Sequence, residues 1–285
     1  VPKGSLLLVN FDLFHRGART LKSGDRFMYK FWYCRTLEPR PRAPIPLTSE
    51  DERRLPAVSA VASWLTSQRH EVGVTPANGT SEAGRVAMAY TGRDPAQICE
   101  DLLDECEAVR RPAMYGATVL GEGAVAAALA ATSSAHWGVR KSGAFVLGEL
   151  AIDTAPVRDA LERLTSPEER PDVRCTAVVA LGRIGRAAVA RGDGAAMKTF
   201  ARLLAPLANP TREPDLPKRA MPGNPVRQNL ALALLSLASE ALEGGSTDLS
   251  TLTETAATMA EWDTDRYARA TSKEVVRRIV AATSD

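Results

Sequence analysis

Twelve residues, Val139-Arg140-Lys141-Ser142-Gly143-Ala144-Phe145-Val146-Leu147-Gly148-Glu149-Leu150, return in character 34 residues later as Val173-Arg174-Cys175-Thr176-Ala177-Val178-Val179-Ala180-Leu181-Gly182-Arg183-Ile184. Looser copies end in Val119-Leu120-Gly121 and run from Val226-Arg227 to Leu234-Leu235. Each copy precedes a second amphipathic stretch, at 124–131, 156–164, 197–207 and 249–260. A period of this length built from two helices reads as an α-solenoid. One helical hairpin cannot bury both of its apolar stripes, so neighbours stack and share a core. Val146, Leu147, Leu150, Val179, Leu181 and Ile184 are the expected core of this register. Gly121, Gly148 and Gly182 recur where a glycine ends a helix or admits a neighbouring one.

The phrase V-R-x-x-A/G-x-x-x-L-G-x-I/L resembles HEAT repeats, especially the short bacterial HEAT-like type, over residues 94–283. The resemblance implies stacked helix pairs and a protein partner on a concave face. Asp94-Pro95 reads as a cap and first-turn proline opening a helix over 96–108. That helix would carry Cys99 and Cys106 on one face, too far apart for a disulfide, as small buried hydrophobes. Residues 208–225 are rich in Pro, Gly and Asn and read as a projecting insertion, and 263–282 as a capping helix or pair. Arg140, Lys141, Arg174 and Arg183 read as solvated helix faces, although their recurrence permits a basic strip.

The chain changes character before the repeats. Seven of its fifteen aromatic residues fall within the first 33 positions, after which Ala and Leu take over. Aromatic enrichment favours strands and Ala/Leu enrichment favours helices. Residues 1–42 hold nine Lys/Arg against three Asp/Glu. Four prolines between Glu38 and Pro46 mark an extended connector. Ser49 to Glu52 offer a capping box, Pro56 suits a first helical turn, and 72–81 read as a loop. The expected division is 1–37 strands, 38–56 linker, 57–93 connecting helices and 94–285 repeats, a mainly α chain with a short antiparallel β segment.

Residues 4–15 alternate, with Leu7, Val9, Phe11, Leu13 and His15 on one face; 26–35 form an aromatic-rich second strand. An antiparallel hairpin would bring His15 and Arg26 to the same end. These strands, the opening Pro2-Lys3-Gly4-Ser5-Leu6-Leu7-Leu8, the His15-Arg16-Gly17 phrase and the ten residues between His15 and Arg26 are similar to the end of a phytanoyl-CoA dioxygenase-like oxygenase. The resemblance implies the last jelly-roll strands, His15 as the third ligand of Fe(II), and Arg26 gripping the distal carboxylate of 2-oxoglutarate. That family's first two ligands form H-x-D/E, and neither His70-Glu71-Val72 nor His136-Trp137-Gly138 supplies it. The expectation is therefore a fragment of a longer oxygenase, inactive as it stands, with His15 otherwise a structural histidine. A stand-alone scaffold, or iron completed by another subunit, are the alternatives. His70 reads as a helix-end dipole partner and His136 as a surface residue at the start of a repeat helix.

The remaining function classes narrow quickly. A net charge of +2 favours neither nucleic acid nor an acidic membrane. No 18-residue apolar run spans a bilayer, and Val1-Pro2-Lys3-Gly4 does not open a signal peptide. Cys34, Cys99, Cys106 and Cys175 without a CxxC suggest free thiols and a cytoplasmic setting. There is no zinc spacing, Walker loop or dinucleotide turn; Gly121-Glu122-Gly123 follows no strand.

Overall fold

A computed structural model describes residues 92–209, 224–245 and 248–283. By contact the chain divides into Val1–Tyr33 and Cys34–Asp285, and every described residue belongs to the second unit. The expected strands, linker and connecting helices, together with His15, Arg26, His70 and most of the insertion, lie outside the described residues.

Ten α-helices and no strand occur among the described residues. They are α1 (Pro95–Asp101), α2 (Glu107–Val119), α3 (Val125–Thr132), α4 (Trp137–Leu150), α5 (Ala155–Arg163), α6 (Pro171–Ala190), α7 (Ala196–Leu204), α8 (Pro225–Glu243), α9 (Ser250–Trp262) and α10 (Arg266–Thr283). Short 3₁₀ turns, Gly121–Ala124 and Ala205–Ala208, precede α3 and follow α7. Proline occupies the first turn of α1, α5, α6 and α8, where its missing N–H costs no helical bond.

The helices sort into two rows. In the even row α2 packs on α4, α4 on α6, α6 on α8 and α8 on α10. In the odd row α1 packs on α3, α3 on α5, and α7 on α9. The rows meet chiefly where α3 packs on α4, α7 on α6 and α9 on α10. The core between them follows the sequence register. Val139, Val173 and Val226 open successive even helices, and Leu147, Leu181 and Leu234 follow two turns later; all six are buried. Of the six expected core residues, Val146, Leu147, Leu181 and Ile184 are buried, whereas Leu150 and Val179 are only half-buried.

Small residues set the spacing of the even row. A Cβ added to Gly148 of α4 would stand 2.8 Å from the Cα of Ala180 in α6. One repeat later, a Cβ on Gly182 of α6 would stand 2.7 Å from the Cβ of Ala233 in α8. Both glycines admit a neighbour within a helix. Gly121, at φ +61°, instead occupies a left-handed turn after α2.

Two expectations fail in the first repeat. The helix expected over 96–108 is broken: α1 ends at Asp101, and α2 starts at Glu107. The Asp104 carboxylate accepts a 2.6 Å hydrogen bond from the Cys106 N–H, an alternative to helical pairing. Cys99 and Cys106 therefore lie on different elements, and Cys106 is exposed rather than buried.

Core and spacing should respond differently to substitution. Leu181→Ala leaves a cavity and should cost about 2–5 kcal/mol. Gly148→Val overfills a backbone contact and should cost about 1–3 kcal/mol despite better helix propensity. Urea unfolding checks both, and a Gly148→Val variant as stable as the parent would remove the close-approach argument.

Candidate functional site

Neither sequence-derived ligand can be placed, because His15 and Arg26 lie outside the described residues. Among the described residues no group of three or more His, Cys, Asp and Glu could hold a metal. The organised chemistry of the described unit lies instead along one edge, where the even helices begin.

Five arginines occupy equivalent places in the first turns of the even helices: Arg110, Arg140, Arg174, Arg227 and Arg269. Each follows Val109, Val139, Val173, Val226 or Ala268, whose side chain points to the core at the last four. Arg110 Nη1 donates to the carbonyl oxygens of Asp104 and Glu105 at 2.7 and 2.8 Å. Arg140 Nη1 repeats this on Ser134 and Ala135 at 2.9 and 2.7 Å, and Arg269 Nη1 on Asp263 at 2.7 Å. These carbonyls belong to the turns leading into the helices, where no regular ladder satisfies them.

The same arginines reach forward. Arg110 Nε donates to Ser142 Oγ of α4 at 3.1 Å. Arg140 holds Glu169, before α6, through Nε at 2.5 Å and Nη2 at 2.8 Å. Arg227 grips the Asp263 carboxylate, before α10, with Nε at 3.1 Å and Nη2 at 3.0 Å. That last pair is almost wholly buried, and Arg227 also lies 5.6 Å over the Trp262 ring. Arg174 is buried and its Nε donates to the Thr165 carbonyl at 3.2 Å.

This corrects the reading of Arg140 and Arg174 as solvated faces. Arg174 is buried, Arg140 is engaged by Glu169, and Arg183 pairs with Glu149 across α4 and α6. Lys141 is exposed as expected, and the Arg183 side chain keeps 41% of its surface in solvent beside Glu149. The sequence signal for these buried arginines is the Val-Arg dipeptide at a fixed helical place, which the usual exposure of charged residues masks.

Titration follows the pairing. Burial works against the charge of Glu169, but hydrogen bonds from Arg140 and the Arg170 N–H hold its carboxyl below the usual range. Glu274 is drawn down to about 2 by hydrogen bonds from Arg277 and Arg278. Burial pushes the Cys99 and Cys175 thiols up, away from thiolate reactivity.

A shallow, open cleft of about 450 Å³ lies where α8 meets α10, lined by Ser239, Leu242, Glu243, Arg277 and Arg278. Arg278 Nη1 donates to Ser239 Oγ at 2.8 Å, and both arginines already bind Glu274. On the even row, Phe145, Val179 and Leu232 occupy corresponding half-buried places, and the Tyr115 ring meets Phe145 edge-on at 5.9 Å. No helix among the described residues is long and apolar enough to cross a membrane.

No family model matches the chain, and no curated protein matches it. Among solved structures it is similar to an engineered protein at 14% identity with a TM-score of 0.42, over 82% of this chain and 98% of that one.

The Arg140–Glu169 pair predicts a pH dependence with a defined sign. Glu169 has its native pKa lowered, so its contribution is present above the ordinary carboxylate value near ~4.3. It is lost as pH falls from there through the lower native value. The stability gap between parent and Glu169→Gln, measured by urea unfolding, should shrink from pH 7 to pH 3. A gap constant over that range would sink the assignment.

Proposed function

We propose that residues 94–285 are a HEAT-like α-solenoid that binds a protein partner on its concave face. The module is joined to the C-terminal jelly-roll strands of a phytanoyl-CoA dioxygenase-like Fe(II)/2-oxoglutarate oxygenase. One observation carries the repeat reading. Gly148 meets Ala180 as Gly182 meets Ala233, so one close contact recurs between successive even helices in one sequence register. A one-dimensional stack needs such a repeated neighbour contact. The Val-Arg edge supports the same register from the other end of the helices. Protein binding is supported by the row of half-buried Phe145, Val179 and Leu232.

The oxygenase part rests on the sequence resemblance at 1–37, with His15 and Arg26 in the roles of metal ligand and 2-oxoglutarate anchor. The residues fit those roles chemically: a neutral imidazole binds iron and a planar guanidinium matches a carboxylate. The missing H-x-D/E makes the chain a poor oxygenase alone, in a cytoplasmic setting. A scaffold without activity is the second reading, favoured by that same missing motif.

Two measurements test these assignments. With ferrous iron and 2-oxoglutarate, the chain should make succinate no faster than its His15→Ala variant. In a parent chain carrying H-x-D/E upstream, His15→Ala should abolish turnover, and Arg26→Lys should weaken 2-oxoglutarate while retaining iron. For the repeats, hydrogen exchange on a purified complex should show protection along one row of helices only. Protection scattered over both rows would defeat the concave-face reading.

A further inference from the structure

We infer that the outer face of α10 is a docking surface for a second copy of this chain, which presents its acidic segment 94–107, the stretch that holds α1 and opens α2. The association is head-to-tail. It uses the two ends of the described array rather than the half-buried row of Phe145, Val179 and Leu232.

α10 packs on α8 and α9, and its buried face is Ala268, Ser272, Val275 and Ile279. Arg266, Lys273, Arg277 and Val280 follow one another at intervals of seven, four and three residues, which puts them on one stripe opposite that face. All four are exposed. The helix is strongly basic, since residues 266–278 hold five Lys/Arg and one Asp/Glu. That single acid, Glu274, is shared by Arg277 and Arg278. Arg266 meets the hydroxyl and ring of Tyr267, and Lys273 makes no ion pair among the described residues.

The opposite charge is concentrated at the other end of the array. Residues 94–107 hold six Asp/Glu and no Lys/Arg. Arg93 answers Asp101, and Arg111 answers Glu107. Glu100, Asp104 and Glu105 are exposed and make no ion pair among the described residues. Within one chain neither patch neutralises the other.

Apolar exposure has the same distribution. Among the described residues the exposed large hydrophobic side chains are Leu103, Tyr267 and Val280, at 43%, 58% and 53%. Leu103 stands in the acidic segment, and the other two lie on α10. Beside the basic stripe runs the open cleft between α8 and α10, whose apolar wall is Leu242, Ala281 and Ala282. In the docked pair Leu103 of one copy covers this wall, and its flanking acids face Lys273 and Arg277 of the next. Arg277 keeps Glu274, because the contact is made by charge across an open face and not by a glycine seated on an alanine. The two surfaces of one copy differ, so the contact is heterologous. Its charges are exposed, so it is sensitive to salt.

The test is sedimentation equilibrium of the full chain at concentrations up to about 1 mM, at low salt and in about 1 M sodium chloride, where the Debye length is about 3 Å. Mass should rise with concentration at low salt, and association should be at least about tenfold weaker at high salt. Arg266→Glu with Lys273→Glu in one variant, and Glu100→Lys with Glu105→Lys in another, alter exposed positions only. Each variant should keep its helical circular dichroism and stay monomeric. Mixing the two should restore association, because opposite signs meet again. Tyr267→Ser changes no charge and should weaken association at least about threefold, which tests the face even where a charge reversal disturbs folding. A monomer at every concentration, equal association in both salts, or a mixture no more associated than its components would each overturn the docking. A monomer is also the result expected if the basic face serves an acidic partner other than this chain.

Discussion

The close approach of α6 to α4 and of α8 to α6 governs the described unit. At these crossings glycine faces alanine, and a single added carbon would come within 2.8 Å of its neighbour. Helices this near leave little room for large side chains between them, which is why alanine is so frequent in the core. The contact also fixes register. Once Gly148 is seated on Ala180, Leu147 and Leu181 are carried into the same interior, and Glu149 is carried beside Arg183. Apolar packing and ion pairing are thus consequences of one steric fit.

The arginine edge fixes the helix starts that the steric fit leaves free. Burying a guanidinium is costly unless its donors are met, and a carboxylate that matches its fork meets two at once. Arg227 and Asp263 satisfy this condition with almost no exposure. Removing either partner would strand a charge, a loss of about 3–5 kcal/mol in comparable buried pairs. Because Arg140 and Arg227 reach acceptors that precede the next even helix, each turn is tied both to its own helix and to its neighbour. The order of stacking is written twice, by small residues along the helices and by polar ones at their starts.

Much of this was legible in the sequence, and the illegible parts have physical causes. The overlay of 139–150 on 173–184 located α4 and α6 and placed Leu147 and Leu181 in the core. It located α8 despite the long insertion before it, because the Val-Arg start survived. The break between α1 and α2 was invisible, since nothing from 96 to 108 is Pro or Gly. It is made by a local bond of the Asp104 side chain, too common in helices to mark a break by itself, and by Arg110 holding the Asp104 and Glu105 carbonyls, which only the folded turn reveals. Leu150 and Val179 obeyed the apolar pattern yet sit at the rim, where a helical stripe grades into surface.

The place held by Gly148 and Gly182 shows how the spacing changes along the row. Counting eight residues on from the repeated arginine, α2 has Thr118 there, α8 has Leu235 and α10 has Arg277. Glycine admits a backbone, leucine requires side-chain packing at a wider separation, and arginine requires water or an acid. Arg277 is largely exposed and binds Glu274 of its own helix, so its charge is answered locally. The face of α10 around Arg277 therefore cannot receive another helix as α4 receives α6 without dismantling that pair. Among the described helices the glycine contact joins α4 to α6 and α6 to α8, and the same repeated position carries polar surface at α10.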